Sequence, residues 1–76
     1  MSGTATSEIL AEMVASVLSI SVAVGDAVAA GDTVMLLESM KMEIPVIVES
    51  DGVVRDIRVD AGDVIQEGDV LVVLEH

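Results

Sequence analysis

The chain has 76 residues, a formal net charge of −11, 53% apolar side chains and no Phe, Tyr, Trp or Cys. Without cysteine it can build no disulfide, thiolate metal site or thiol nucleophile. An acidic chain without aromatic rings also lacks the cations and stacking platforms that nucleic acid and anionic membrane surfaces require. The longest unbroken apolar run, Val70 to Leu74, is far too short to span a bilayer.

Residues 1–8 are small and polar and read as a flexible N-terminal tail. No basic region precedes the first apolar stretch, so the tail is not a secretory signal, and the chain reads as a cytoplasmic, acidic protein. One domain is expected over residues 9–75. Its 15 Val and 6 Ile favour strands over helices. A helix over Ile9 to Ile20 is the rival reading. The related segment 46–57, with Val48, Asp51, Gly52, Val53 and Val54, is a poor helix and argues against it.

A strand is predicted from Val17 to Val24, where Ile20, Val22 and Val24 alternate with Ser19, Ser21 and Ala23. Val17 breaks that parity, as does Val54 further on, so bulges are expected near residues 18–19 and 55–56. Gly25-Asp26 and Gly31-Asp32 carry turn chemistry and bracket a short strand. Strands follow over Thr33 to Glu38, Glu43 to Val48 and Val53 to Val59. Gly62-Asp63 and Gly68-Asp69 repeat the turns before a last strand, Val70 to Glu75. His76, after Leu74-Glu75, reads as the remnant of a C-terminal tag and is set aside from function.

These elements recur because the chain repeats itself. Residues 12–38 set against 49–75 give 10 identities in 27 positions, and in both halves the Gly-Asp pairs lie six residues apart. Two copies are too few for a solenoid. Two β units packed face to face about a pseudo-twofold axis fit the pattern.

The halves meet at Leu37-Glu38-Ser39-Met40-Lys41-Met42-Glu43-Ile44-Pro45. Lys41 is the only lysine and falls where a hairpin tip is expected. At such a tip Met40 and Met42 cannot both enter the domain's own core, which suggests a surface for another protein to hold. Taken alone, Met-Lys-Met is most simply an ordinary surface lysine between two apolar residues. Its place at the midpoint of an internal repeat gives it weight.

Glu38-Ser39-Met40-Lys41-Met42-Glu43, together with the doubled Gly-Asp pattern over residues 9–75, resembles the biotinyl domains of biotin-dependent carboxylases. The likeness is to short biotinylated proteins of actinobacteria and to biotin/lipoyl attachment proteins. It implies an all-β, flattened eight-stranded barrel-sandwich hybrid with the modified lysine at a hairpin tip. Lys41 would accept biotin from biotin protein ligase, with Met40, Met42, Glu38, Ser39 and Glu43 read by that ligase. The biotinyl arm would then shuttle a carboxyl group between biotin carboxylase and carboxyltransferase sites, making the protein a carrier and not an enzyme. Ser39 stands where the family has Ala, and Ala15 where it has Gly, although Gly52 keeps the glycine in the second half. Lipoyl domains have Ser or Thr at the position of Ser39, which leans toward a lipoyl carrier with lipoate on Lys41 as one alternative. They have Asp where this chain has Met40, however, which leans back toward biotin and more strongly. An unmodified protein-interaction module is another alternative. The Gly-Asp pairs lack the spacing of a calcium loop, and no metal site is expected.

Overall fold

The 37-residue repeat dictates the architecture. The computed structural model describes residues 5–76. The strands are β1 (Thr6–Leu10), β2 (Ala15–Ile20), β3 (Ala27–Val28), β4 (Thr33–Ser39), β5 (Met42–Ile47), β6 (Gly52–Ile57), β7 (Val64–Ile65) and β8 (Val70–Glu75). They form two four-stranded sheets, ordered β1-β8-β6-β3 and β5-β4-β2-β7, and every pairing is antiparallel. Adding 37 to the residue numbers carries β2 onto β6, β3 onto β7, β4 onto β8 and β1 onto the end of β5. Applied to one sheet order, the operation returns the other, which is the expected pseudo-twofold relation. No helix among the described residues is long and apolar enough to cross a membrane.

The halves interlock. The short strand β3 joins β6 of the second half, and β7 joins β2 of the first. Neither half therefore completes a sheet without the other. The register slips between Val17 and Ser19 and between Val54 and Asp56, so Leu18 and Arg55 are the extra residues of two equivalent bulges where the broken parity predicts them. A second equivalent pair was not legible in the pattern. It falls at Val34 in β4 and Leu71 in β8, where each residue is skipped by its neighbouring strand.

Each Gly-Asp pair closes a turn in the same way. Asp26 N–H donates to the Ala23 carbonyl at 3.0 Å, and Asp63 N–H donates to that of Asp60 at 3.1 Å. Gly25 and Gly62 take φ of 98° and 95° at the third position, as a type II turn requires. The aspartate side chain adds a clamp, with Oδ2 accepting from the backbone N–H three residues earlier at 2.8–2.9 Å in all four turns. The turns also stitch the halves together. Gly25 N–H donates to the Val54 carbonyl and Gly62 N–H to that of Val17, both at 2.7 Å.

This turn chemistry corrects two strand boundaries. The strands expected to reach Val24 and Val59 stop at Ile20 and Ile57. Val24 sits at the second position of a turn and is 62% exposed, while Val22 stays half-buried. The N-terminal expectation also changes. Residues 6–8, read as tail, lie in β1, where Thr6, Ser7 and Glu8 pair with Glu75, Leu74 and Val73. Residues 1–4 of that tail lie outside the described residues. β1 is an edge strand with mostly exposed side chains, so burial imposed no apolar alternation on it.

The core runs between the two sheets and is apolar throughout. Val17 and Val54, Val28 and Ile65, Val34 and Leu71, Met35 and Val72, and Leu37 and Leu74 are buried as pseudo-symmetric pairs. Ala15 is buried as well, so the first half accommodates a methyl group there. At Gly52 an added Cβ would meet the Glu75 carbonyl oxygen at 3.0 Å, which explains the glycine kept in the second half.

Gly62 offers a clean test of the turns. Space around its missing Cβ is open, so Gly62→Ala meets only the backbone penalty of a left-handed alanine, about 1–2 kcal/mol. Urea denaturation should show that loss as a lowered midpoint with an unchanged slope. An unshifted midpoint would contradict the turn assignment.

Candidate functional site

Ser39 and Met42 form the last pair of the β4–β5 ladder, which leaves Met40 and Lys41 alone in a two-residue loop. Their φ values are 52° and 64°. Positive φ at both central residues is what a type I′ hairpin turn needs to match the twist of its strands. Asn-Gly is the usual occupant, and Met and Lys in left-handed geometry cost roughly 1–2 kcal/mol each. These two are the only non-glycine residues with positive φ among the described residues. Strain of this kind persists where the surrounding structure over-determines it.

Here the constraint comes from the ladder below the loop and from Ser39, whose hydroxyl donates to the Val14 carbonyl at 3.0 Å. That bond ties the hairpin base to the loop between β1 and β2. No sequence signal marked Val14, because it contributes only its backbone oxygen.

The tip is exposed. Met40 is 92% and Met42 65% accessible, and Lys41 lies open between them. The salt bridges among the described residues, Arg55–Glu75 at 3.3 Å and Arg58–Asp56 at 3.1 Å, do not involve Lys41. Glu38 and Glu43, both exposed, face each other across the ladder. Like charges so placed are mildly destabilising. Glu43→Gln should therefore raise stability by about 0.2–1 kcal/mol in low salt, and the gain should shrink as salt is added. A gain that persists at high salt would point to another cause.

The eight turn residues, Gly25, Asp26, Gly31, Asp32, Gly62, Asp63, Gly68 and Asp69, are not part of the two-residue tip and serve the turn bonds described above. Among the described residues, no group of three or more His, Cys, Asp or Glu is arranged to hold a metal ion. A groove of about 700 Å³ runs between β1 and β5, lined by Ile9, Leu10, Ile44, Ile47, Glu12 and Glu49 among others, and does not include Lys41.

His76, set aside in the sequence, is bonded into the structure. Its Nδ1 lies 2.7 Å from the Asp51 carbonyl, its Nε2 lies 2.7 Å from Ser7 Oγ, and its N–H donates to the Ala5 carbonyl at 2.8 Å. A ring protonated on Nδ1 satisfies both side-chain contacts. The pseudo-twofold carries Ser39 onto His76 and Val14 onto Asp51, so both side chains bind equivalent carbonyls. His76 thus closes the end of the sandwich related by symmetry to the lysine hairpin.

Two equivalent sheets thus carry the chain's lone lysine on a strained, exposed, methionine-flanked hairpin. The chain belongs to the biotin/lipoyl attachment family, whose model, described as "Biotin-requiring enzyme", matches residues 5–74. It is 51% identical over 67 residues to a biotinylated protein TB7.3 homolog of Mycobacterium leprae, across 88% of this chain and 94% of that one. It is 38% identical over 65 residues to a biotin/lipoyl attachment protein of Bacillus subtilis, across 86% and 89% of the two chains. Among solved structures, the urea carboxylase of Kluyveromyces lactis superposes with a TM-score of 0.86 at 31% identity, covering 97% of this chain and 6% of that much longer one.

Proposed function

We propose that the protein is a biotin carboxyl carrier and that Lys41 is the residue that takes biotin. The observation that carries this reading is the tip geometry: the only lysine of the chain occupies a two-residue turn, exposed and flanked by exposed Met40 and Met42. The site fits a covalently attached group. The amine projects from the end of a hairpin, so a modifying enzyme can enclose it without unfolding the domain, and no salt bridge among the described residues holds it back.

In this reading biotin protein ligase reads Met40 and Met42, together with Glu38, Ser39 and Glu43 at the hairpin base. An ammonium is not a nucleophile, so Lys41 gives up a proton inside the ligase, whose enclosed pocket favours the neutral amine. Lys41 Nζ then forms an amide with the activated carboxyl of biotin, and AMP leaves. The linkage removes the lysine charge and leaves a long arm anchored on a rigid turn. Biotin supplies the ring nitrogen on which a carboxyl group is carried. The protein supplies tethering, which raises the local concentration of that ring at each partner site within reach of the arm. Biotin carboxylase and carboxyltransferase are the partners, and the charge of −11 steers the carrier toward basic partner surfaces at low salt.

The test uses biotinylated protein, a biotin carboxylase that is active on free biotin, ATP and labelled bicarbonate. Label should enter the protein much faster than it enters free biotin at equal concentration. Equal rates would remove the carrier role, because tethering and recognition would contribute nothing.

A further inference from the structure

Four methionines lie among the described residues, and their environments span the whole range of exposure. Met35 is fully buried, Met13 is 36% accessible, Met42 65% and Met40 92%. Met40 is the most exposed large apolar side chain among the described residues, and the ease of methionine oxidation follows exposure. Met40 and Met42 also adjoin the functional amine. Successive Cα atoms lie about 3.8 Å apart, so an enzyme that closes over Lys41 also covers its neighbours.

We propose that Met40 and Met42 form a reversible oxidation site that sets whether partner enzymes accept the hairpin tip. The proposal rests on the carrier reading above. The oxidant is a hydroperoxide such as hydrogen peroxide. A sulfur lone pair attacks one peroxide oxygen, the O–O bond breaks, and the departing hydroxide takes up the remaining proton as water. The sulfur is oxidised by two electrons to the sulfoxide, and the peroxide is reduced. Methionine sulfoxide reductases reverse the step: two thiols become a disulfide and the oxygen leaves as water, with one enzyme for each sulfoxide epimer.

The consequence follows from polarity. A thioether enters an apolar partner pocket at little cost. A sulfoxide brings a strong dipole and an acceptor oxygen that such a pocket does not pair. The backbone offers little relief at Met40, because the two-residue turn fixes its φ at 52° and the ladder closes directly below it. Met35, at the centre of the core, is an internal control, because it should oxidise only if the domain opens.

The experiment begins with protein biotinylated on Lys41 and verified by mass. Failure at that stage counts against the carrier reading alone. The biotinylated protein is then exposed to hydrogen peroxide, the peroxide is removed, and each methionine is read by fragmentation mass spectrometry. Among these four, Met40 and Met42 should gain one oxygen ahead of Met13, with Met35 unchanged and the circular dichroism spectrum retained. The kcat/KM for carboxylation of the oxidised carrier by biotin carboxylase should fall roughly tenfold or more, and both reductases together should restore it. A Met40→Leu/Met42→Leu double variant, whatever its own rate, should lose its response to peroxide. The proposal is overturned if Met13 oxidises first, if the oxidised carrier keeps its rate, or if the double variant responds as the unaltered protein does.

Discussion

Lys41→Arg should abolish biotinylation completely while leaving the fold intact. Arginine keeps the charge and much of the reach of lysine, but a guanidinium is not deprotonated in proteins and does not form the amide. The side chain is exposed, makes no salt bridge among the described residues, and sits on a turn whose backbone conformation arginine adopts as readily as lysine. Surface changes of this kind stay within about 0.5 kcal/mol, which for a domain of this size keeps Tm within about 4 °C. Intact mass after ligase treatment and a thermal melt check the two halves of this statement. Residual biotin on the variant would place the acceptor elsewhere, and a collapsed Tm would mean that Lys41 holds the hairpin as well as the cofactor.

Leu71→Ala should produce the largest loss of stability. Leu71 is 1% exposed, lies in a bulge of β8, and packs in the core with its symmetry mate Val34. Truncating a buried leucine costs about 2–5 kcal/mol, the transfer of the missing atoms plus the cavity they leave. A chain this short has little stability in reserve. The expected fall in Tm is at least about 8 °C. The hairpin should still accept biotin at temperatures well below the new midpoint, because its geometry is set by the β4–β5 ladder. A drop of less than about 2 °C would mean that the site collapses around the smaller side chain.

Much of this was readable because the chain states it twice. The Gly-Asp pairs fix turns whose chemistry is local, and a side-chain clamp on a backbone N–H three residues away needs no tertiary context. The bulges at Leu18 and Arg55 were visible as a parity break shared by both halves. β1 was not readable. Against Met42 to Ile47, residues 5–10 keep no identity, and an edge strand with few buried side chains has no pattern to display. Val24 misled in the opposite direction, since its alternation continued into a turn that only the Gly25 backbone specifies. At the site, the position of Lys41 was legible from the repeat. The strain at Met40 and Lys41 was not, since neither is a turn residue by type and the ladder imposes their geometry. The contacts of His76 were not legible either, because a terminal histidine carries no sequence sign of the two carbonyls and the hydroxyl it bonds.

The central claim is that Lys41 is offered for biotin, and intact mass after ligase treatment tests it most directly. Apo protein is incubated with ATP, biotin and biotin protein ligase, and in parallel with ATP, lipoate and a lipoate ligase. A single biotin increment is expected in the first reaction, absent from Lys41→Arg, and none in the second. A lipoyl increment alone would move the protein to the lipoyl carriers with the fold unchanged. No increment in either reaction would contradict the account and leave an unmodified interaction module in its place.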